Sequence, residues 1–489
     1  MPVNFLPTAA DYVRFLPEMI LTLGGVLIML FEPLLGEDTK RANLSALTLA
    51  AFTGALVASF VAYGNPGTSF SNMLIVDGFA TFFRVLVIAV GMLTLFSSAQ
   101  YLRQEHAASS EYYALLLFSV TGQCVMVTAN ELIMIFISLE ISSIATYILA
   151  GYLRDDKRNN EAALKYFLLG SFATAFLLYG IAWIYGTTGS TNLANIRVAL
   201  LTPGSERNIV LAGTAAALMF VGFAFKVSAA PFQIWAPDVY QGAPAPVTLF
   251  MSAGPKAAAF AIFVRVFMTA FGPIAVRWEP FVWASALLTM IIGNFAALMQ
   301  TNIKRLLAYS SIAHAGYIMV AIAAHNQVGV AAVMFYLAAY ALMNIGALAV
   351  ITYFSRQDER YLNVDDLAGL GWKEPMTAAM FSIFLLSFIG VPLTGGFFGK
   401  FYIFKAALDA NLVWLAVLGL LNSAVAAYYY LRILVVMYMR EPGEATASLQ
   451  PPTIGINATL WLTALGTIVL GVAPSLILNF ATASSVLVK

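Results

Sequence analysis

The composition of the 489-residue chain excludes a soluble globular protein. Hydrophobic residues make up 61% of it and charged residues 10%, and the mean hydropathy is +0.84, whereas soluble domains carry about 25% charged residues. A net charge of +1 provides no strong field that would attract nucleic acid. The composition therefore predicts an all-α polytopic membrane protein that contacts membrane lipids and binds no nucleic acid.

The apolar segments, taken in chain order, number fourteen. Each is long enough to supply the roughly 20 residues that cross a bilayer, and short loops separate them. They begin near Phe15, Leu44, Gly78, Tyr112, Glu131, Ala162, Ile209, Val247, Pro280, Arg305, Val328, Pro375, Leu412 and Ile456.

Lysine and arginine are distributed unevenly over the loops between these spans. One set of alternate loops holds Lys40, Arg41, Arg103, Arg154, Lys157, Arg158, Lys304, Arg305, Arg356, Arg360, Lys373 and Arg440. The opposite set, with the two ends of the chain, holds Arg14, Arg197, Arg207, Arg277 and Lys489. The positive-inside rule makes the first set cytoplasmic, and an even number of spans then puts both termini on the outer side.

Two of the predicted spans contain residues that break helices. The seventh contains Pro231 and Pro237, and the twelfth contains Gly390, Pro392 and Gly396. Such breaks are tolerated at membrane depth where they are buried in protein or line a wet cavity. Because they lie five spans apart, they predict two inverted five-helix repeats. The predicted regions are a three-helix region at 1–110, repeats at 111–275 and 276–440, and a last helix at 441–489.

Ionisable side chains lie inside these apolar segments, namely Glu140, Lys165, Lys226, Lys256 and Lys400. Each costs about 2.5–3.5 kcal/mol at the bilayer centre. The usual explanation is an ion or proton path that the charges line.

Three of these lysines lie at positions that favour proton transfer. Lys226 is expected to form an ion pair with Glu140 across two helices, and a lysine that alternates between paired and unpaired states could carry a proton; a static salt bridge is the alternative. Lys256 follows a Gly-Pro pair and precedes three alanines, and such small residues leave room for water or for a close helix neighbour. Lys400 follows the broken twelfth span.

Other polar residues are open to a structural interpretation. Lys165 lies one turn from Glu161 near the end of its span and could extend to the surface. His314 has an ordinary pKa near 6.5 that suits proton exchange, although hydrogen bonds to neighbouring hydroxyls would also explain it. Asp77 and Arg84 lie two turns apart and are expected to pair.

The cysteine and histidine content limits redox chemistry within the chain. Cys124 is the only cysteine, and the histidines are His106, His314 and His325. So few ligands cannot hold an iron–sulfur cluster or a pair of haems. We expect no cofactor or metal ion in this chain, so any associated electron transfer would occur elsewhere.

Three motifs carry a resemblance to a known family. They are FKVSAAPFQIWAPDVYQGAP at 225–244, KRLLAYSSIAHAGY at 304–317 and GGFFGKF at 395–401. They resemble the proton-conducting membrane subunits of respiratory complex I, a family shared with the multisubunit sodium/proton antiporters. The resemblance covers about spans four to thirteen, and the family's fourteen-span layout agrees with the segments above.

The resemblance implies a function, partners and site residues. It implies proton export across a bacterial inner membrane, driven by electron transfer from NADH to quinone. FMN, iron–sulfur clusters and quinone would then lie in the other subunits of the complex. The implied proton-path residues are Glu140, Lys226, Lys256 and Lys400, with Lys165 and His314 as accessory members.

Three features favour one branch of this family. Lys400 occupies a place where another branch carries glutamate, and the chain ends soon after the fourteenth span. The sequences DVYQGAP at 238–244 and YYYLR at 428–432 also resemble those of the favoured branch. A subunit of a sodium/proton antiporter, or an autonomous cation/proton transporter, is the alternative function.

Overall fold

The computed structural model describes residues 6–34, 37–107, 109–202, 206–355 and 359–487, without the side chains of 37–42 and 206–208. Of the loop charges used to predict orientation, Arg356 and Lys489 lie outside the described residues, as do the side chains of Lys40, Arg41 and Arg207.

Helices account for most of the described chain. The first are α1 (Ala9–Arg14), α2 (Leu16–Phe31), α3 (Glu37–Tyr63), α4 (Gly78–Gln104), α5 (Ser110–Thr128), α6 (Leu132–Ala150) and α7 (Lys157–Thr188). The next are α8 (Leu193–Leu201), α9 (Glu206–Val227), α10 (Trp235–Gly242), α11 (Ala245–Thr269), α12 (Ala275–Leu298), α13 (Ile303–Ala323) and α14 (Gln327–Ser355). The last are α15 (Leu370–Lys373), α16 (Pro375–Ile389), α17 (Gly395–Asp409), α18 (Val413–Met439), α19 (Glu444–Ala447), α20 (Ile454–Val472) and α21 (Ser475–Ser484). A short antiparallel hairpin of β1 (Gly67–Ser69) and β2 (Leu74–Val76) precedes α4.

The predicted fold class, an all-α polytopic membrane protein, is confirmed. Within the described ranges, 12 helical stretches are long and apolar enough to cross a membrane. A helix lies at or near each of the fourteen predicted starts, but neither α5 nor the α16–α17 pair is among those 12. The number fourteen therefore stays a prediction.

Three helices form the centre of the bundle. In the most apolar windows of α11 and α13, 94% of residues are buried, and in that of α14 the share is 89%. The corresponding share in α2 is only 28%, so α2 lies at the periphery. A helix that is apolar on all sides is stable only when protein or lipid surrounds it. Polar side chains on the three central helices are therefore enclosed by protein.

The first predicted helix break lies between α9 and α10. Ser228 adopts a positive φ of 61° there, and the freed backbone groups find neutral side-chain partners. Trp235 Nε1 donates to Phe225 O at 2.9 Å, and Ala230 N donates to Thr289 Oγ1 at 2.8 Å. Ser285 Oγ donates to Ala230 O. Because these donors and acceptors are uncharged, the break does not require the ammonium group of the neighbouring lysine.

The second predicted break lies between α16 and α17. Gly390 ends α16 with a positive φ of 91°, a conformation that glycine adopts without steric cost. Gly396 packs so closely that an added Cβ would lie 1.9 Å from Ser387 O. The last carbonyls of α16 accept hydrogen bonds from a lysine on α17, as described below.

Candidate functional site

Lys226 lies at the end of α9 and contacts hydroxyl groups on α6. Its Nζ donates to Ser143 Oγ at 2.7 Å and to Tyr147 OH at 3.1 Å. Among the described residues, no carboxylate lies within 4.0 Å of this ammonium group, so the predicted contact ion pair with Glu140 is not formed. The reason is that nearer hydroxyl oxygens satisfy the lysine.

Glu140 nevertheless lies on the same face of α6 as those hydroxyls. Ser143 and Tyr147 follow it by three and seven residues, which are one and two helical turns. Within the described chain, Glu140 Oε1 is buried without a hydrogen-bond partner. The geometry therefore offers Lys226 two sets of acceptors, of which the hydroxyl set is occupied.

A small cavity lies between Lys226 and α11. Its volume is about 20 Å³, and its lining includes Lys226, Ser142, Thr146, Tyr166 and Pro255. One water needs roughly 10–15 Å³ and two to four polar partners. The cavity therefore has the size and the polar groups to hold one water molecule beside Lys226. Its lining residue Pro255 directly precedes Lys256 in the sequence.

Lys256 is buried at the centre of the bundle and is 2% exposed. Its Nζ donates to Ser311 O at 3.1 Å and also contacts Ser311 Oγ. Tyr340 OH donates to Ser311 Oγ at 2.8 Å, which joins α11, α13 and α14. No described carboxylate pairs with Lys256 either.

His314 lies one turn after Ser311 on α13 and is also 2% exposed. Its Nδ1 lies 2.6 Å from Tyr336 OH, and its Nε2 lies 3.2 Å from Tyr430 OH. Tyr430 OH is also bonded to Ser310 Oγ. Both ring nitrogens thus have hydroxyl partners, as the structural interpretation required, and the ring lies between the contacts of Lys256 and those of Lys400.

Lys400 lies on α17 and reaches back across the second helix break. Its Nζ donates to Phe388 O and Ile389 O, each at 2.9 Å, and to Ser423 Oγ at 2.6 Å. The ammonium group also lies 4.8 Å from the ring centroid of Tyr317, one turn beyond His314 on α13. The contact points of Lys256, His314 and Lys400 therefore follow one face of α13.

Lys165 lies away from this line. Its side chain is 40% exposed, and its Nζ lies 2.7 Å from Glu161 Oε1 and 2.7 Å from Asp238 Oδ2. Asp238 also pairs with Arg305 at 2.6 Å. This position agrees with the interpretation of Lys165 as a surface anchor.

The structure adds a buried ion pair that the sequence analysis missed. The sequence predicts a loop position for Lys304, but its side chain is 0% exposed at the start of α13, and its Nζ lies 2.7 Å from Glu359 Oε2. Glu359 Oε1 accepts hydrogen bonds from Ala245 N and Tyr101 OH. A Lys-Arg dipeptide at a span boundary resembles an interfacial anchor, and its partner lies 55 residues away, so the sequence carried no local signal of burial.

The prediction that Asp77 pairs with Arg84 is wrong. Asp77 caps α4 and accepts hydrogen bonds from Arg265 at 2.9 and 3.0 Å. Arg84 instead lies 2.7 Å from Glu18. Spacing along one helix predicted a shared face, but residues of α11 and α2 lie closer to each group.

Comparisons with known proteins agree with the motifs. Residues 129–426 match the family model described as NADH:quinone oxidoreductase/Mrp antiporter, TM. NADH-quinone oxidoreductase subunit N 1 of Solibacter usitatus is 62% identical over 489 residues, which cover 100% of both chains. A chain of respiratory complex I from Thermus thermophilus with bound aureothin is 34% identical with a TM-score of 0.81, covering 95% of this chain and 98% of that one.

A solved structure at lower identity shows the same fold. A chain of the Mrp complex from Dietzia sp. is 20% identical with a TM-score of 0.84, over 98% of this chain and 97% of that one. The 62% identity with the Solibacter subunit N over the full length is far stronger evidence of family membership than this shared fold. The chain therefore belongs to the NADH:quinone oxidoreductase/Mrp antiporter family of membrane proteins, within its subunit N branch.

Proposed function

We propose that the chain is a proton-translocating membrane subunit of an NADH:quinone oxidoreductase. Electron transfer from NADH to quinone in partner subunits would drive proton export through it. The observation that carries the proposal is a line of three lysines in the bundle, Lys226, Lys256 and Lys400, each hydrogen-bonded to hydroxyl or carbonyl oxygens. Among the described residues, no carboxylate lies within 4.0 Å of these ammonium groups. Loss of a proton from any of the three lysines therefore breaks no direct ion pair.

The three lysines would act in sequence. Lys226 takes up a proton and exchanges its hydroxyl partners for Glu140, which stabilises the charged form. A water in the adjoining cavity would connect Lys226 with Lys256, and the cavity size of about 20 Å³ supports this step. Hydroxyls around Ser311 and His314 then lead toward Lys400, which would release the proton on the outer side. Lys165 would serve only as an accessory residue at the surface.

The two broken helices would belong to two inverted halves, residues 111–275 and 276–440. The five-span offset between the breaks supports this organisation. The lysine positions differ in detail, because Lys226 precedes its break and Lys400 follows its break by several residues. Superposition of the halves with an axis in the membrane plane should bring the breaks together, and a parallel superposition would contradict the proposal.

Two experiments test the function: deletion of the chain from the complex, and purification of the chain alone. Deleting the gene should abolish NADH-driven proton pumping in membrane vesicles, and the purified single chain should oxidise no NADH. A proton path without a driving partner must stay closed, so liposomes that contain only this chain should hold a pH gradient. Rapid ion exchange by the isolated chain would instead identify an autonomous transporter.

A further inference from the structure

A buried ion pair lies in the N-terminal region, outside the line of lysines. Arg84 on α4 is 1% exposed, Glu18 on α2 is 0% exposed, and Arg84 Nη2 lies 2.7 Å from Glu18 Oε1. The same Nη2 donates to Arg14 O at 3.3 Å. A charged pair inside a membrane protein is costly unless further hydrogen bonds satisfy both groups.

Those further hydrogen bonds do not come from the described protein atoms. Glu18 Oε2, Arg84 Nε and Arg84 Nη1 are buried and have no partner there, and neither does Thr81 Oγ1. Thr81 lies three residues before Arg84 and so shares its face of α4. Four unsatisfied polar atoms thus occur on the two helices that this ion pair joins, whereas nearly all buried polar groups in proteins are paired with protein or ordered water.

We propose that Glu18, Arg84 and Thr81 form a buried hydration site that holds a proton for exchange with the lysine path. Ordered waters would bridge the unsatisfied donors of Arg84 to Glu18 Oε2 and Thr81 Oγ1. An excess proton would reside on these waters or on the Glu18 carboxylate. Arg84 stays charged at any pH of interest, so Glu18 is the group of the pair that exchanges protons. The proposal rests on the proposed function.

Gln123 on α5 provides a connection from this site to the lysines. It is fully buried, and its Nε2 donates to Ser119 Oγ at 3.1 Å and Ser142 Oγ at 3.4 Å. Ser142 lines the cavity beside Lys226. The polar side chains therefore continue from the cavity into the helices of the N-terminal region.

The free end of Gln123 faces α4 and α11. Gln123 Oε1 has no partner among the described atoms, and an added Cβ at Gly254 would lie 2.8 Å from it and 3.3 Å from Val90 Cγ1. Val90 lies six residues beyond Arg84, which is about 9 Å along the helix axis. Under the proposal, a file of waters over that distance would connect the hydration site with the cavity beside Lys226.

A map of the intact complex that resolves waters tests the site directly. We expect water density within hydrogen-bonding distance of at least two of the four unsatisfied atoms. Well-ordered side chains without such density, in a map that shows waters elsewhere in the bundle, would overturn the proposal. This readout is independent of proton pumping, so it would not be affected if the proposed function failed.

Paired substitutions test the role in proton transfer. Glu18→Leu with Arg84→Met removes both charges together, which avoids leaving one of them unpaired. We expect a loss of protons pumped per NADH oxidised, without loss of NADH oxidation. The matched control is Asp365→Leu with Arg440→Met, which removes an exposed pair and should change neither quantity.

Normal pumping by the assembled Glu18→Leu/Arg84→Met complex would show that the pair only holds α2 to α4. If this variant does not assemble, Glu18→Gln decides, because it keeps the shape and one hydrogen bond but cannot bind a proton at physiological pH. Reduced pumping by Glu18→Gln supports the proposal and normal pumping overturns it.

Discussion

The ammonium group of Lys400 lies 2.9 Å from the carbonyl oxygen of Ile389, at the end of the helix that the second break interrupts. At the first break, the carbonyls of Phe225 and Ala230 accept instead from Trp235 and Ser285. Lys400 therefore has a backbone role that Lys226 lacks. A neutral amine still donates two hydrogen bonds, so this role does not prevent loss of the proton.

Lys400→Arg should retain assembly and block proton release. Arginine keeps the positive charge and can donate to the same carbonyls, but its ordinary pKa exceeds that of lysine by at least about 2 units, so its neutral fraction is at least ~100-fold lower. We expect proton pumping to fall to a small fraction of normal. The measurement is pumping per NADH oxidised, beside Lys400→Ala. Pumping near normal in Lys400→Arg would mean that the charge is only structural.

Glu140→Gln should also reduce pumping, because it removes the carboxylate that would stabilise charged Lys226 in its second arrangement. Glu140→Asp should be milder, since it keeps the charge and loses only reach. Pumping by inverted vesicles that contain the assembled variants distinguishes these outcomes. Equal and normal pumping by both variants would be inconsistent with a role for Glu140 in proton uptake.

Ser143→Ala should shift Lys226 away from its hydroxyl partners and toward Glu140. A hydrogen bond to a charged group contributes about 1.5–3 kcal/mol, which corresponds to a shift of roughly 10- to 150-fold between the two arrangements. We expect slower pumping, because the lysine then stays paired. Structures of the variant and wild-type complexes would measure the distance from Lys226 Nζ to Glu140.

The matched control for that variant is Ser138→Ala on the same helix. Ser138 is equally buried, but its hydroxyl donates only to Ile135 O of its own helix at 3.0 Å. Its removal should leave pumping unchanged. A similar loss in both variants would attribute the effect to packing of α6 rather than to Lys226.

Lys165→Arg should leave pumping near normal. The side chain lies between Glu161 and Asp238 at the surface, and arginine can form both ion pairs. Exposed pairs contribute about 0–1 kcal/mol, so Lys165→Ala should also assemble. Strong loss of pumping in Lys165→Arg would move Lys165 into the main path, and measuring both variants separates charge from proton exchange.

Features of the chain that depend on local sequence were predictable. Long apolar runs locate the helices, and Pro231 and Gly390 locate the two breaks, because hydropathy and backbone restriction act over a few residues. Lys256 lies inside the bundle, as its place in the middle of an apolar span indicated. The three family motifs were likewise recognisable, because each is a contiguous stretch of sequence.

Features that depend on distant residues were not predictable. The partner of Lys226 depends on whether hydroxyls of Ser143 and Tyr147 or the carboxylate of Glu140 lie nearer, and that depends on side-chain conformation. Arg84 pairs with Glu18, 66 residues away. Single-sequence spacing contains no information about contacts of that kind, because the packing of separate helices creates them.

The buried pair of Lys304 and Glu359 should be important for stability rather than for proton transfer. Lys304→Met leaves Glu359 buried near Ala245 and Tyr101 without a counter-charge. Removing one partner of a buried pair costs about 3–5 kcal/mol. We expect a lower thermal unfolding temperature and reduced retention of this chain in the purified complex.

A double variant provides the control for this prediction. Glu359→Gln combined with Lys304→Met removes both charges and keeps an oxygen that can accept from Ala245 N. It should recover most of the stability lost in Lys304→Met, because the desolvated charge is gone. Arg440→Met, which breaks the exposed pair with Asp365, should change the unfolding temperature little. Equal destabilisation in the single and double variants would mean that the lysine stem, rather than the charge pair, stabilises the start of α13.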